Sequence, residues 1–227
     1  MIDPVSDLRS LREATDRLVT AAARLDNAGV ASPSRLPGWT RGHVLAHISR
    51  NADALVNVLE GRPMYVTGEA RDADIERDAP RPLGEQLDDL RATAARFQEA
   101  CAAPGDWERT VELRNGVTDR AARVPFRRLV EVELHHVDLG IGYELEDLPK
   151  EFTERETAFL ADRWSGRPDV VPTRVLAGGG EWSTGGTAGD PVTVSGSPAD
   201  VLGWLSGRRD GALLECAGGP LPVLPAL

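Results

Sequence analysis

The chain has 227 residues, 41% hydrophobic and 27% charged, which suits a folded protein with one large core or a helical domain plus a small second one. A formal net charge of -10, a pI near 4.9 and a single lysine, Lys150, with no basic cluster make nucleic acid a poor partner. No apolar run approaches the roughly 20 residues that cross a bilayer and the N-terminus lacks a secretory pattern, so no membrane partner is expected; Cys101 and Cys216 form no disulfide framework, and the expected location is a reducing cytoplasm.

In chain order, Leu8, Leu11, Leu18, Val19, Ala22 and Leu25 recur at helical spacing and predict a first helix from Val5 to Leu25, stopped by Asn27 and Gly29. Pro37-Gly-Trp-Thr40 reads as a turn and an N-cap, with Trp39 placed to pack on Val44. A second helix then starts near Arg41 and follows Val44, Leu45, Ile48, Leu55, Val58 and Leu59 to Gly61. Residues 64–82, charged and near several prolines, read as an exposed loop. Leu83, Leu87, Leu90, Ala94 and Phe97 predict a third helix ending before Pro104-Gly105, and an irregular stretch with strand character follows around Trp107 to Val117.

Pro125 opens a fourth helix along Leu129, Val130, Val132, Leu134, Val137, Leu139 and Ile141 to Gly142. It is apolar over much of its circumference, so it should be buried and its polar residues need partners. Beyond Leu148-Pro149 the character changes. A helix from Glu154 to Trp164 precedes short Gly- and Pro-rich runs in which Val170 to Ala177, Pro191 to Ser195 and Ala212 to Cys216 read as strands and Pro198 to Leu205 as a helix. Gly178-Gly-Gly180 lacks the spacing of a phosphate loop and reads as a turn. The expected organisation is a helical domain over 1–148 and a small α/β domain over 149–227.

All four histidines fall in the second and fourth helices, as His43-Val-Leu-Ala-His47 and as Glu131-Val-Glu-Leu-His135-His136. Residues four apart lie one turn above each other, so Glu131 and His135 point the same way and can chelate one ion, with a third ligand from a facing helix. Two imidazoles and a carboxylate leave a position open on a divalent ion, zinc foremost. The residues alone leave another reading open, in which these are core histidines hydrogen-bonded to Glu131, Glu133 and Asp138. Glu133/His136 is the lesser pair, and His43, near its helix start, suits a capping or supporting role as well as ligation.

At these residues the sequence resembles the mycothiol-dependent maleylpyruvate isomerase family. Leu36-Pro-Gly-Trp-Thr-Arg-Gly-His43-Val-Leu-Ala-His47 resembles its first signature, and Arg128-Leu-Val-Glu131-Val-Glu-Leu-His135-His-Val-Asp138-Leu-Gly140 its second. Gly219-Pro-Leu-Pro-Val-Leu-Pro225 is similar to its C-terminal tail. The resemblance implies a DinB-like four-helix bundle followed by a small C-terminal α/β, sterol-carrier-like domain. It also implies zinc on His47, Glu131 and His135, and a functional arginine at Arg208, with Arg209 adjacent.

The activity so implied is a cis–trans isomerisation. The thiolate of mycothiol adds to maleylpyruvate, the bond rotates, and the thiolate leaves fumarylpyruvate behind. Zinc would keep the thiol deprotonated near its electrophile, and Arg208 would fork onto a carboxylate or the developing enolate. The partners implied are mycothiol and a small carboxylate electrophile, on a monomer or homodimer. Rival readings are a mycothiol S-transferase using the same thiolate, a metal-dependent hydrolase, and a non-catalytic small-ligand or partner-binding protein.

Overall fold

The computed structural model describes residues 3–103 and 105–225; Pro104, where the third helix was expected to stop, lies outside them. The chain divides into two compact units, Met1–Tyr143 and Glu144–Leu227.

In the first unit, α1 (Pro4–Ala22) starts where the Asp3 carboxylate accepts from the Val5 and Ser6 amides, with Pro4 in the first turn. A short α2 (Asn27–Ala31) then leads to α3 (Arg41–Leu59), α4 (Gly68–Asp78) and α5 (Leu83–Ala102). A hairpin of β1 (Thr110–Glu112) and β2 (Thr118–Arg120) precedes α6 (Val124–Asp138). The long helices close a four-membered bundle: α3 packs on α5 and α6, and α1 packs on the same two. Leu18, Leu45, Ile48, Leu55, Leu90 and Phe97 are fully buried between them. Each such side chain contributes about 1.5–3 kcal/mol by leaving water.

Residues 64–82 are not simply an exposed loop, because α4 occupies their centre. Thr67 caps it by accepting from the Ala70 amide, but only Ile75 and Asp78 of its eleven residues are buried. So narrow an apolar face leaves little periodic signal. Ion pairs anchor the helix instead: buried Asp78 meets Arg50, Arg77 and Arg81.

The last bundle helix stops at Asp138, short of the expected Gly142. Gly140 takes a left-handed φ of 63° and turns the chain away, as glycine does just past a helix end. Gly42 serves a different purpose at the start of α3. A Cβ there would stand 2.1 Å from the Ala79 carbonyl oxygen, so glycine lets α3 seat directly on the turn after α4.

The second unit contains α7 (Lys150–Arg163), β3 (Thr173–Ala177), β4 (Gly180–Thr184), β5 (Val192–Gly196), α8 (Pro198–Leu205) and β6 (Glu215–Ala217). The sheet order is β4-β3-β5-β6, with β3 parallel to β5 and the other pairs antiparallel. Gly178 and Gly179 form the β3–β4 turn, and the helices pack on each other and on the sheet. Strand β4 had no counterpart in the sequence reading, since Gly-Glu-Trp-Ser-Thr offers a single large apolar residue. No helix among the described residues is long and apolar enough to cross a membrane.

Candidate metal centre

Two bundle helices present the chemistry: His47 from α3, Glu131 and His135 from α6. Their mutual placement is fixed by arginines that cross between them. Arg128, wholly buried, donates to the carbonyl of Ile48, the residue after His47, at 2.8 Å and to Asn51 Oδ1 at 2.9 Å. Burial pulls its guanidinium down to about 10. At the start of α3, Arg41 donates to the Leu139 carbonyl at 2.8 Å and the Gly140 carbonyl at 3.2 Å, tying α3 to the end of α6.

At the centre, one oxygen is shared. Glu131 Oε2 lies 3.0 Å from His47 Nε2 and 3.2 Å from His135 Nε2. The imidazoles stand edge to face with centroids 4.6 Å apart, and one ligand atom from each residue lies within 4.8 Å of the others. On tetrahedral zinc, with bonds of about 2.0–2.1 Å, neighbouring ligand atoms stand about 3.3 Å apart, so this donor set fits a divalent ion. His135 Nδ1 meets Asp138 Oδ2 at 2.8 Å, the carboxylate–imidazole contact that orients ligating histidines. His47 Nδ1 meets Arg71 Nη2 at 3.1 Å, and the Trp39 ring lies 5.5 Å from the His47 ring.

The charges suit ligation. Desolvation alone would raise the Glu131 carboxyl, but hydrogen bonds from His135 and His47 outweigh it and hold it well below the usual carboxylate range. Burial pulls His47 below its ordinary 6.5 against the opposing pull of Glu131. Burial acts the same way on His135, yet its bonds to Asp138 and Glu131 prevail and its pKa rises. The phenol of Tyr65 is raised by burial and then by Glu131, so it stays protonated beside the cluster.

His43 caps α3: its Nδ1 accepts from the Thr40 amide at 3.2 Å while Thr40 Oγ1 accepts from the His43 amide. Glu133 and His136 face elsewhere, with Glu133 bound to Arg17 at 2.6 Å and to the Tyr143 hydroxyl at 2.8 Å, and His136 stacked on the Tyr143 ring. In the second unit the adjacent arginines separate clearly. Arg209 donates to Asp200 at 2.6 Å and to Glu146 at 2.7 Å, while Arg208, half-buried just past α8, bonds the Ser206 carbonyl at 3.3 Å. Sequence reasoning missed Arg71 and Tyr65, which lie in the stretch read as loop, and gave Trp39 to packing.

The fold and site define a four-helix-bundle protein with a candidate His/Glu/His metal centre, followed along the chain by a small α/β unit. Residues 11–140 match the family described as mycothiol maleylpyruvate isomerase N-terminal domain, and 147–226 match the MDMPI C-terminal domain. The chain belongs to the mycothiol-dependent maleylpyruvate isomerase family. A crystal structure of the mycothiol-dependent maleylpyruvate isomerase superposes with a TM-score of 0.87 at 26% identity, covering 99% of this chain and 97% of that one. A histidine-to-alanine mutant of the enzyme superposes with a TM-score of 0.89 at the same identity and coverage. No curated protein sequence matches the chain.

Proposed function

We propose that this chain is a mycothiol-dependent isomerase that converts maleylpyruvate to fumarylpyruvate at a zinc site held by His47, Glu131 and His135. The observation that carries the reading is the convergence of two imidazole nitrogens on one carboxylate oxygen, in a chain of this family. When bound, a divalent ion would supply the Lewis acidity that keeps a thiol ligand deprotonated at neutral pH.

The chain's own residues prepare that role. Asp138 accepts the Nδ1 proton of His135, so Nε2 is the nitrogen that would hold a metal. Glu131, held ionised, brings the negative charge that a dication requires. Trp39 walls one side of His47. The resemblance of the segment from Ala199 to Arg208 assigns Arg208 to the substrate's carboxylate or the developing enolate, while Arg209 binds Asp200 and Glu146.

The reaction is redox-neutral: the sulfur–carbon bond made on addition is broken on elimination, and the thiol is returned unchanged. No protein thiol is needed. Cys101 is buried, its thiol pushed up to about 12, and Cys216 lies on the surface. Both cysteines being free accords with a cytoplasmic location.

The test is loss of maleylpyruvate absorbance with zinc-loaded protein, with and without mycothiol, in wild type and His47→Ala. Loss that needs both the thiol and His47 supports the isomerase. Zinc-loaded wild type that leaves maleylpyruvate intact while conjugating mycothiol to other electrophiles would replace this reading with an S-transferase.

A further inference from the structure

We propose that Arg71 receives the carboxylate of the anionic substrate, and that it is released for this role when His47 turns its Nε2 lone pair to the metal. The inference rests on the metal reading of the triad.

A guanidinium has N–H donors and no acceptor, so His47 Nδ1, 3.1 Å from Arg71 Nη2, must be the acceptor in that contact. A neutral imidazole carries one N–H, which is then on Nε2 and donates to Glu131 Oε2 at 3.0 Å. The metal-free arrangement is thereby satisfied at both ring nitrogens. Ligation through Nε2 needs the opposite tautomer, with the proton on Nδ1. That proton would face an Arg71 N–H, two donors with nothing to accept. Metal on His47 and the Arg71–His47 hydrogen bond exclude each other.

What Arg71 does next follows from its surroundings. Its side chain is 14% exposed, Nη1 stays on the surface carboxylate of Asp72 at 2.6 Å, and the guanidinium lies 5.9 Å from the Tyr65 ring centroid. A released donor so poorly hydrated needs a new acceptor. Loading a dication adds two positive charges beside Arg71, whose own charge is paired with Asp72, and a planar carboxylate matches the guanidinium fork. Tyr65, whose ring Arg71 approaches, also lines a cavity of about 560 Å³ with Arg62, Arg109 and Arg114, although Arg71 and the triad are not among its lining residues. Metal and carboxylate therefore bind with positive coupling, each favouring the state in which Arg71 has left His47.

The experiment uses the full chain as wild type, Arg71→Met and Arg71→Lys, with zinc alone and maleate as an unreactive dicarboxylate probe. Zinc affinity is read by chelator competition, maleate affinity by calorimetry, and the His47 tautomer by nitrogen-15 NMR. Wild type should show the Nε2–H tautomer without zinc and Nδ1–H with it, and should bind maleate about tenfold tighter when zinc-loaded. Arg71→Met should hold zinc at least as tightly as wild type yet bind maleate about tenfold more weakly, with Arg71→Lys recovering part of the loss. Maleate affinity unchanged in zinc-loaded Arg71→Met, or an Nδ1–H tautomer in zinc-free wild type, overturns the role of Arg71. Failure of wild type to bind zinc at the triad overturns both this inference and the metal reading beneath it.

Discussion

His135 Nδ1 stands 2.8 Å from Oδ2 of Asp138, three residues on and buried at the end of the same helix. The carboxylate accepts the Nδ1 proton, so it is Nε2, the nitrogen facing Glu131, that would give up its proton and offer a lone pair on ligation. Asp138→Asn keeps the shape but can present an N–H to the ring. Zinc affinity by chelator competition is expected to fall about 10–100-fold, with helical content retained. Unchanged affinity would show that Asp138 has no part in orienting the imidazole.

Stability should depend on pH with opposite signs in the zinc-free and zinc-loaded protein. The pKa of His135 is raised above its ordinary 6.5, so its contribution to stability is present below that pH and is lost as pH rises through the raised value. Glu131 is depressed, so its contribution is present above its ordinary 4.5 and is lost only in acid. Zinc replaces the His135 proton. The gap in Tm between zinc-loaded and zinc-free protein is therefore expected to widen from about pH 6 to about pH 8, and a gap that narrows would contradict the ligand assignment.

Gly42→Ala tests whether α3 needs its close seat. The added Cβ would meet the Ala79 carbonyl oxygen at 2.1 Å, a backbone atom with little freedom to move, and a loss of about 1–3 kcal/mol is expected from the thermal or denaturant midpoint. Gly84→Ala is the contrasting case. It lies exposed in the first turn of α5 with open space around it, so alanine there should be neutral or add up to about 1 kcal/mol through helix propensity.

Much of this architecture was readable from the chain. The apolar stripes of α3 and α6 are long and regular, and the four-residue spacing of Glu131 and His135 puts them on one face whatever the helix packs against. The meeting of His47 with Glu131, 84 residues apart, is set by how two helices cross, which no local pattern encodes. The arginines show the same limit: Arg41 and Arg128 look like solvated helix residues until their carbonyl partners on another helix are known. Trp39 sits before a cap and suggested a staple on Val44, but its ring lies against His43 and His47. Helix α4 escaped notice because ion pairs, not apolar contacts, hold most of it, and with it went Arg71.

Arg208 and Arg209 should separate by what each replacement damages. Arg209→Ala removes ion pairs to Asp200 and Glu146 and the packing of its stem against Gly203, and is expected to cost about 1 kcal/mol of stability. Arg208→Ala should lower turnover about 100-fold with zinc content unchanged. Loss of turnover in Arg209→Ala alone, with its Tm intact, would transfer the functional assignment to Arg209.

The most direct test of the account is the absorption spectrum of the cobalt-substituted protein as mycothiol is added, in wild type and in His47→Ala. Cobalt occupies the same donor sets as zinc and reports its ligands by colour. A tetrahedral cobalt spectrum in wild type, with a sulfur-to-cobalt charge-transfer band that appears on adding mycothiol and is absent in His47→Ala, is the predicted result. Cobalt that binds equally well without His47, or a wild-type spectrum that mycothiol leaves unchanged, would contradict a thiol-activating metal centre at His47, Glu131 and His135.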